Sequence, residues 1–464
     1  MQSRLAIAAG VSMLFAAGAA HAQSHTLQDA LAAAYANNPT LQAARALLRS
    51  TDENVPGALA GWRPQISVTG SIGGFGGNLS EPNAFGTVTK SPIGRSLNTL
   101  AASVTQPLYS GGKTRASINK AENQVLSQRA TLMATEEQVF SQTVNAYVTV
   151  IQDQQLLGLD QANEALLTKE LQATNDRFRV GELTRTDVAQ AEAALASATA
   201  TRQTAEGTLQ TARATYEQYV GEPPGKLADP QPLKLPVKTL DEAKALAGRN
   251  NPNVIAALFA DAAARDAFDV AYSALLPQLS LQGQAFRYGN PNGPQELETG
   301  VQATLNLTVP IYQGGAEYAA VRQARQSELQ ARHQLEDQRR QAVQQVTAAW
   351  TQVEAARAAI VSGRAAVRAS QVAVEGLERE ALVGSATTLD VLTAVQNLLN
   401  AQTALVQSLA QLITASYQVT AAVGRLSALD LNLQVQLYDE KAYYNAVHDL
   451  WIGTGDFATD QPGR

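Results

Sequence analysis

The sequence predicts a mainly helical fold with a smaller β component, in which long coiled-coil helices and a pair of β-hairpins arise from one unit written twice. Three observations carry this expectation. Blocks of residues recur in the same order at a nearly constant spacing. Each copy holds a heptad-patterned stretch much longer than an ordinary helix. Each copy also holds two segments in which apolar residues alternate with uncharged polar ones.

The duplication is read first, because a missed repeat miscalls the whole fold. Thr26-Leu27 followed by Asn37-Asn38-Pro39 returns as Thr239-Leu240 followed by Asn250-Asn251-Pro252, an offset of 213 residues. Pro64-Gln65-Ile66 meets Pro277-Gln278-Leu279 at the same offset. After a shortened loop the offset becomes 203: Tyr109-Ser110-Gly111-Gly112 meets Tyr312-Gln313-Gly314-Gly315, and Val180-Gly181 through Asp187 meets Val383-Gly384 through Asp390. The chain therefore divides into a signal peptide (1–22), a first repeat (23–221), a proline-rich connector (222–238), a second repeat (239–424) and a tail (425–464).

Taken in order, the elements are justified as follows. Arg4, the apolar run Leu5 to Ala20 and Ala20-His21-Ala22 form a secretory signal with its cleavage site. A first helix is expected from Leu27 to Ala60. Alternating segments at 65–72 and 98–108 flank a turn-rich stretch, 73–96, that suits a hairpin tip. From Lys113 to Phe178, Leu126, Met133, Phe140 and Tyr147 recur at heptad spacing beside Val125, Leu132, Val139 and Ala146. Such a stretch makes a rod of roughly 100 Å at ~1.5 Å per residue. Gly181 ends it, since glycine takes the left-handed conformation found past helix C-termini. Thr184 then caps a second helix running to Tyr219, with Asp187 three residues on as its capping-box partner. Gly384, Thr387 and Asp390 repeat the arrangement.

The second repeat brings strands at 278–286 and 301–311. In the latter, Val301, Ala303, Leu305, Leu307, Val309 and Ile311 alternate with Gln302, Thr304, Asn306 and Thr308. Apolar residues on one face and uncharged hydrogen-bonding residues on the other fit strands between lipid and water. A half-buried soluble sheet gives the same pattern. In hydrocarbon, four strands with open edges cannot stand alone, so closure needs several chains. Two chains would give an eight-stranded barrel filled by side chains. A channel therefore needs at least three protomers, and the pattern does not exclude four.

The tandem unit, Tyr-x-Gly-Gly where a strand gives way to a helix (Tyr109, Gly111, Gly112; Tyr312, Gly314, Gly315), and Val-Gly-x(5)-Asp-Val between helices together resemble the TolC family of outer-membrane export channels. The resemblance spans nearly all of 26–424. It implies a homotrimer whose twelve-stranded β-barrel sits in outer-membrane lipid and continues into a twelve-helix periplasmic α-barrel. It also implies docking to a periplasmic adaptor protein and an inner-membrane transporter, ATP-driven or proton-driven. The tail, Tyr438-Asp439-Glu440 and Tyr443-Tyr444 to Trp451-Ile452-Gly453, resembles the branch serving type I protein secretion, which this sequence slightly favours over multidrug efflux.

By that resemblance the helix tips form the pore entrance. Asp390 matches a pore-facing aspartate, so a trimer would carry a ring of three, and Asp187 matches its first-repeat partner. Adaptor contact carries over to Val180, Gly181, Val383 and Gly384. The chain departs from the family where a second aspartate is expected, at Thr393. It departs again at Ala386 and Ala381, where the family holds an arginine and a tyrosine that lock the entrance. Arg185 is the candidate substitute. Tyr109 and Tyr312 read equally as membrane-interface anchors or as packing at a strand end.

Composition sets the exclusions. The chain has 464 residues, no cysteine and a net charge of −6. Disulfides, thiolate metal sites and a cysteine-linked lipid are therefore excluded, and the acidic balance argues against nucleic acid. Gly112-Lys113-Thr114 lacks the upstream glycine of a phosphate loop. No catalytic constellation, cofactor motif or metal-ligand spacing is present, so the sequence does not predict an enzyme. The competing expectation is a periplasmic coiled-coil adaptor or scaffold, which also uses long helical hairpins but lacks two-faced strands.

Overall fold

The computed structural model describes residues 25–82, 84–291, 295–455 and 457. The expected signal peptide, 1–22, lies outside the described residues. The order of elements is α1 (Leu27–Asn37), α2 (Pro39–Asp52), α3 (Asn54–Leu59), β1 (Gln65–Pro82), β2 (Val88–Ser110), α4 (Lys113–Arg179) and α5 (Arg185–Val220). The second half runs α6 (Leu240–Asn250), α7 (Pro252–Tyr272), β3 (Gln278–Gly289), β4 (Leu297–Thr308), α8 (Ala316–Leu382) and α9 (Thr388–Ala422), with α10 (Ala442–Val447) in the tail. Among the described residues, no helix is long and apolar enough to cross a membrane.

The expected single helix over 27–60 is broken, and the break has a local cause. Pro39 cannot donate to the turn before it, so it opens a new helix, and Asn38 caps that helix by accepting the Thr40 N–H at 3.0 Å. Asn251 does the same for Asn253 at 3.0 Å. Each asparagine also spends its amide on the end of a distant helix. Asn38 Nδ2 donates to the Tyr219 carbonyl at 3.0 Å, and Asn251 Nδ2 to the Ala422 carbonyl at 3.2 Å. One residue thus ends a helix, starts another and ties both to a third.

Helices α4 and α8 are each 67 residues long, or ~100 Å at ~1.5 Å per residue. Each packs lengthwise on the shorter helix that follows it, α5 or α9. The heptad stripe of α4 is buried at Val125, Leu132, Val139, Phe140, Ala146 and Tyr147, whereas Met133 stays 43% exposed. The largest core joins Leu132, Phe140, Ala146 and Tyr147 of this stripe to Leu31, Leu41, Leu48 and the tail residues Leu426 and Leu433. A second core gathers Val346 and Val353 of α8 with Val419 of α9.

The strands form one antiparallel sheet in the order β1-β2-β3-β4, leaving β1 and β4 as its edges. The expected strand limits change: β3 runs on to Gly289 rather than 286, β4 starts at Leu297 rather than 301, and two further changes have a clear cause. The turn-rich stretch 73–96 is mostly strand, because β1 and β2 pair from Gln65–Thr105 out to Pro82–Val88. β2 pairs with β3 only as far as Asn98–Gly289, so roughly ten further residue pairs of the first hairpin, about 30 Å, project past the second. β4 ends at Thr308 rather than 311, just before Pro310, which has no N–H for a ladder.

Candidate functional site: the bare sheet, the helix tips and the tail

The sheet has one continuous apolar face. On it Ile66 pairs with Val104 and Val68 with Ala102, while Leu279 pairs with Leu307 and Leu281 with Leu305. The other face is laced with polar side chains. The Ser67 and Ser103 hydroxyls lie 2.8 Å apart, the Ser71 and Thr99 hydroxyls 2.6 Å, and Gln302 Nε2 donates to Gln284 Oε1 at 2.6 Å. The apolar face is bare within the protomer, with Ile66 73% exposed and Val301 84%, whereas Ala101 on the polar face is buried. A soluble sheet would bury the apolar row, since a contiguous bare apolar face marks an interaction surface.

Where β2 gives way to α4 and β4 to α8, two successive glycines turn the chain with positive φ: 63° and 83° at Gly111 and Gly112, 76° and 89° at Gly314 and Gly315. The two turns differ in their surroundings. A Cβ on Gly111 would lie 2.7 Å from the Ser273 carbonyl oxygen, whereas one on Gly314 would meet nothing within 4 Å. Tyr109 and Tyr312 at these turns are 49% and 76% exposed.

At the far end of the rods the two tips are nearly identical. Val180 closes α4, Gly181 follows with φ of 85°, and the Glu182 N–H donates back to the Arg177 carbonyl at 2.9 Å. Val383, Gly384 (φ 77°) and Ser385, bonded to the Glu380 carbonyl at 2.9 Å, repeat this. Thr184 then caps α5: its N–H and hydroxyl reach Asp187 Oδ2 at 2.9 and 2.6 Å, while the Asp187 N–H returns to Thr184 Oγ1 at 3.3 Å. Thr387 and Asp390 make the same box at 2.9, 2.6 and 3.2 Å. Donation by the threonine hydroxyl, then by the backbone N–H, holds both carboxyls below the usual aspartate range. Asp390 is exposed and Asp187 half-buried, and both stay ionised at neutral pH.

Arg177 and Glu182 pair at 3.1 Å in the first tip. Arg185 is exposed, and Asp187 is bonded to its own cap. Ala381 packs at the rim of an apolar cluster of Leu167, Val374, Val391 and Val395. Val180 and Val383, 72% and 81% exposed, leave each tip apolar and small.

The tail was singled out by its motif, but its contacts with the first repeat are the part of the site that sequence reasoning missed. After α9 it lies along the first repeat. The Leu426 and Ala428 N–H groups donate to Glu137 Oε1 at 3.3 Å and Glu136 Oε1 at 2.7 Å. The Tyr438 N–H donates to Tyr35 Oη at 3.0 Å, and Tyr443 Oη to Glu53 Oε1 at 2.8 Å. Arg45, 1% exposed, donates to the Tyr35 carbonyl at 3.2 Å and stacks over the rings of Tyr35 and Tyr438. Burial pushes the Glu137 carboxyl up to about 8, against the Leu426 N–H, with Glu136 and Asp430 adding to the rise. One signal was available: Glu137 lies between Met133 and Phe140, on the apolar stripe of α4.

A four-stranded sheet with a bare apolar face and two open edges, continuous with ~100 Å helical rods, defines an outer-membrane channel protomer with a periplasmic extension. The chain belongs to the family described as outer membrane efflux protein, which it matches over residues 30–222 and 245–425. It is 37% identical over 434 residues to the outer membrane efflux protein BepC of Brucella suis, covering 93% of this chain and 92% of that one. It is 27% identical to the outer membrane protein TolC of Vibrio cholerae, over 79% of this chain and 83% of that one. The crystal structure of the Vibrio cholerae outer membrane protein VceC superposes with a TM-score of 0.73 at 21% identity, over 86% of this chain and 96% of that one. The family is one of channels rather than enzymes.

Proposed function

We propose that the chain is the exit duct of a tripartite export system, a passive homotrimeric conduit from the periplasmic tips to the cell exterior. The observation that carries this is the sheet: its apolar face needs lipid, its polar face needs water, and its edges, β1 and β4, need partners. Three copies close twelve strands into a barrel wide enough for a lumen, while two close only a filled one. The division into two repeats, connector and tail fits this reading, each repeat supplying one hairpin and one pair of rods.

At the inner end, Asp187 and Asp390 are proposed to line the entrance. A ring of three Asp390 carboxylates favours cations and binds multivalent ones. The bare, small tips at Val180-Gly181 and Val383-Gly384 are proposed as the contact for a periplasmic adaptor, which couples the duct to an inner-membrane transporter. The resemblance of the tail supports type I protein secretion as the cargo route. A second reading, efflux of small molecules, is supported by the name of the Brucella suis relative.

Light scattering of detergent-extracted protein, with the detergent subtracted, is expected to return three protomers. A mass of one or two protomers sinks the duct. In planar bilayers Asp390→Ala is expected to lose cation selectivity and multivalent-cation block, and unchanged selectivity removes Asp390 from the entrance. Deletion of the gene separates the cargo readings: lost secretion of a protein against lowered resistance to toxic small molecules.

A further inference from the structure

The tail does more than brace the rods. From Leu426 to Val447 it keeps packing on the first repeat, with Leu426 and Val447 fully buried and Tyr444 set against Val55, Ala121 and Val125. It travels from the middle of α4 along α2 and α3 toward the strands. At its described end it meets the residue that leads into β1. Arg63 Nη1 donates to the Leu450 carbonyl at 2.7 Å, and its guanidinium stacks 4.9 Å over the Trp451 ring. There the packing stops abruptly: Trp451 is 66% exposed and Ile452 89%.

The level at which this happens is fixed by the sheet. Trp62, next to Arg63 and 45% exposed, has its carbonyl bonded to Gln106 Nε2 of β2 at 2.9 Å. Tyr109, near the end of β2, and Tyr312, just past β4, stand at the same end of the strands as Trp62, and Trp451 is joined to that end through Arg63. It is the periplasmic rim of the barrel, where the lipid-facing rows starting at Ile66 begin. Tryptophan and tyrosine rings favour this headgroup zone, with apolar bodies toward the acyl chains and polar edges toward water. An exposed Trp-Ile pair, held by the arginine that leads into β1, suits phospholipid.

We propose that Trp451 and Ile452 seat the carboxy-terminal segment in the headgroup zone of the periplasmic leaflet, beside the foot of β1. The tail then acts as a brace between the membrane surface and the middle of the rods, in a chain that lacks a cysteine for lipid attachment. The proposal rests on the outer-membrane location and does not depend on the cargo.

The absence of native cysteine makes the test direct. Ile452→Cys carries a single spin label at an exposed site. Leu429→Cys, at a tail residue 68% exposed beside the rods, is the water reference, and Ile66→Cys on the strand face is the lipid reference. The full chain is reconstituted in vesicles of phosphatidylethanolamine and phosphatidylglycerol. Collision rates with oxygen and with a water-soluble nickel chelate are then compared. The oxygen-to-nickel ratio at 452 is expected to exceed that at 429 severalfold and to approach that at 66. A ratio equal to that at 429 overturns the anchor, and so does protection from both reagents, which would mean that protein covers the site. A water-like ratio at 66 instead would indict the strand assignment. As a check free of the label, Trp62→Phe with Trp350→Phe leaves Trp451 as the sole tryptophan. Its emission is expected to be quenched by phospholipids brominated near the headgroup, and unquenched emission also overturns the anchor.

Discussion

Helices α4 and α8 have the same length, the same paired glycines before them and the same capped tips after them, yet their middles are opposite in charge and burial. Glu136 and Glu137 of α4 lie beneath the tail and accept its N–H groups. The residues at the matching places in α8, Arg339 and Arg340, are exposed. Likewise Arg45 of α2 is sealed between Tyr35 and Tyr438, while its counterpart in α7, Leu258, is 44% exposed. Duplication supplied two equal rods, and the tail, present once, made one of them different. Ends built from local signals stay alike in the two repeats. Surfaces that meet a non-repeated segment diverge.

The largest expected effect tests the tail as a strap across the first repeat. Arg45→Ala removes a buried cation and its two ring contacts, and leaves the Tyr35 carbonyl unpaired. A loss of about 3 kcal/mol is expected, the scale for breaking a buried charged network. Thermal unfolding in detergent, followed by helical circular dichroism, should show it, along with faster proteolysis of 425–455. The same treatment of Leu258→Ala should leave the tail protected.

Next in size is the contrast between the two strand-to-helix turns. Gly111→Ala sets a Cβ 2.7 Å from the Ser273 carbonyl oxygen at a φ of 63°. Gly314→Ala meets open space and incurs only the left-handed backbone cost of about 1 kcal/mol. Gly111→Ala is therefore expected to lose at least twice as much stability, about 2 kcal/mol or more. Equal losses would mean that Ser273 and Leu276 move aside easily.

The pH dependence follows from Glu137. Its folded pKa of about 8 lies above the ordinary 4.5, so the folded state holds a proton that the unfolded state releases. Stability contributed by the protonated form is fully present below pH 4.5 and is lost as pH rises toward 8. Glu137→Gln keeps an oxygen for the Leu426 N–H and removes the ionisation. It is expected to flatten the decline in unfolding temperature across that window and to recover about 1–2 kcal/mol at neutral pH. Arg340→Gln in α8, where no strap lies, should leave the profile unchanged. Glu136 and Asp430 beside Glu137, and Arg45 beside Glu136, set how steep the decline is.

Much of the fold is legible because its signals are short-range. The heptad at Val125, Leu132 and Val139 and the alternation at 301–308 need only neighbouring residues to be read. The helix break at Asn38-Pro39 is also a local signal, a capping asparagine followed by a proline at the first helical position. The long first hairpin was hidden for another reason. Gly73, Gly74, Gly76 and Gly77 mark turns by composition, but a ladder of cross-strand bonds holds them extended. The strap was least legible. Glu137 and Leu426 are 289 residues apart, and nothing local announces that a carboxyl on an apolar stripe awaits a backbone donor from the tail.

The smallest effect is expected where the two repeats are most alike. Thr184→Ala and Thr387→Ala each remove a hydroxyl that accepts one N–H and donates to an aspartate, at a cost of about 1 kcal/mol of local helix stability. Hydrogen exchange at the first turns of α5 and α9 should therefore accelerate by a similar factor in the two variants. The exposed valines beside them offer no compensating contact within the protomer. A difference would appear only if assembly treats the tips unequally. If Thr387→Ala loosens α9 in isolated protomers but not in the assembled protein, neighbouring copies hold the second tip and not the first. That outcome would place the asymmetry of the entrance between chains, since the two caps themselves are built alike.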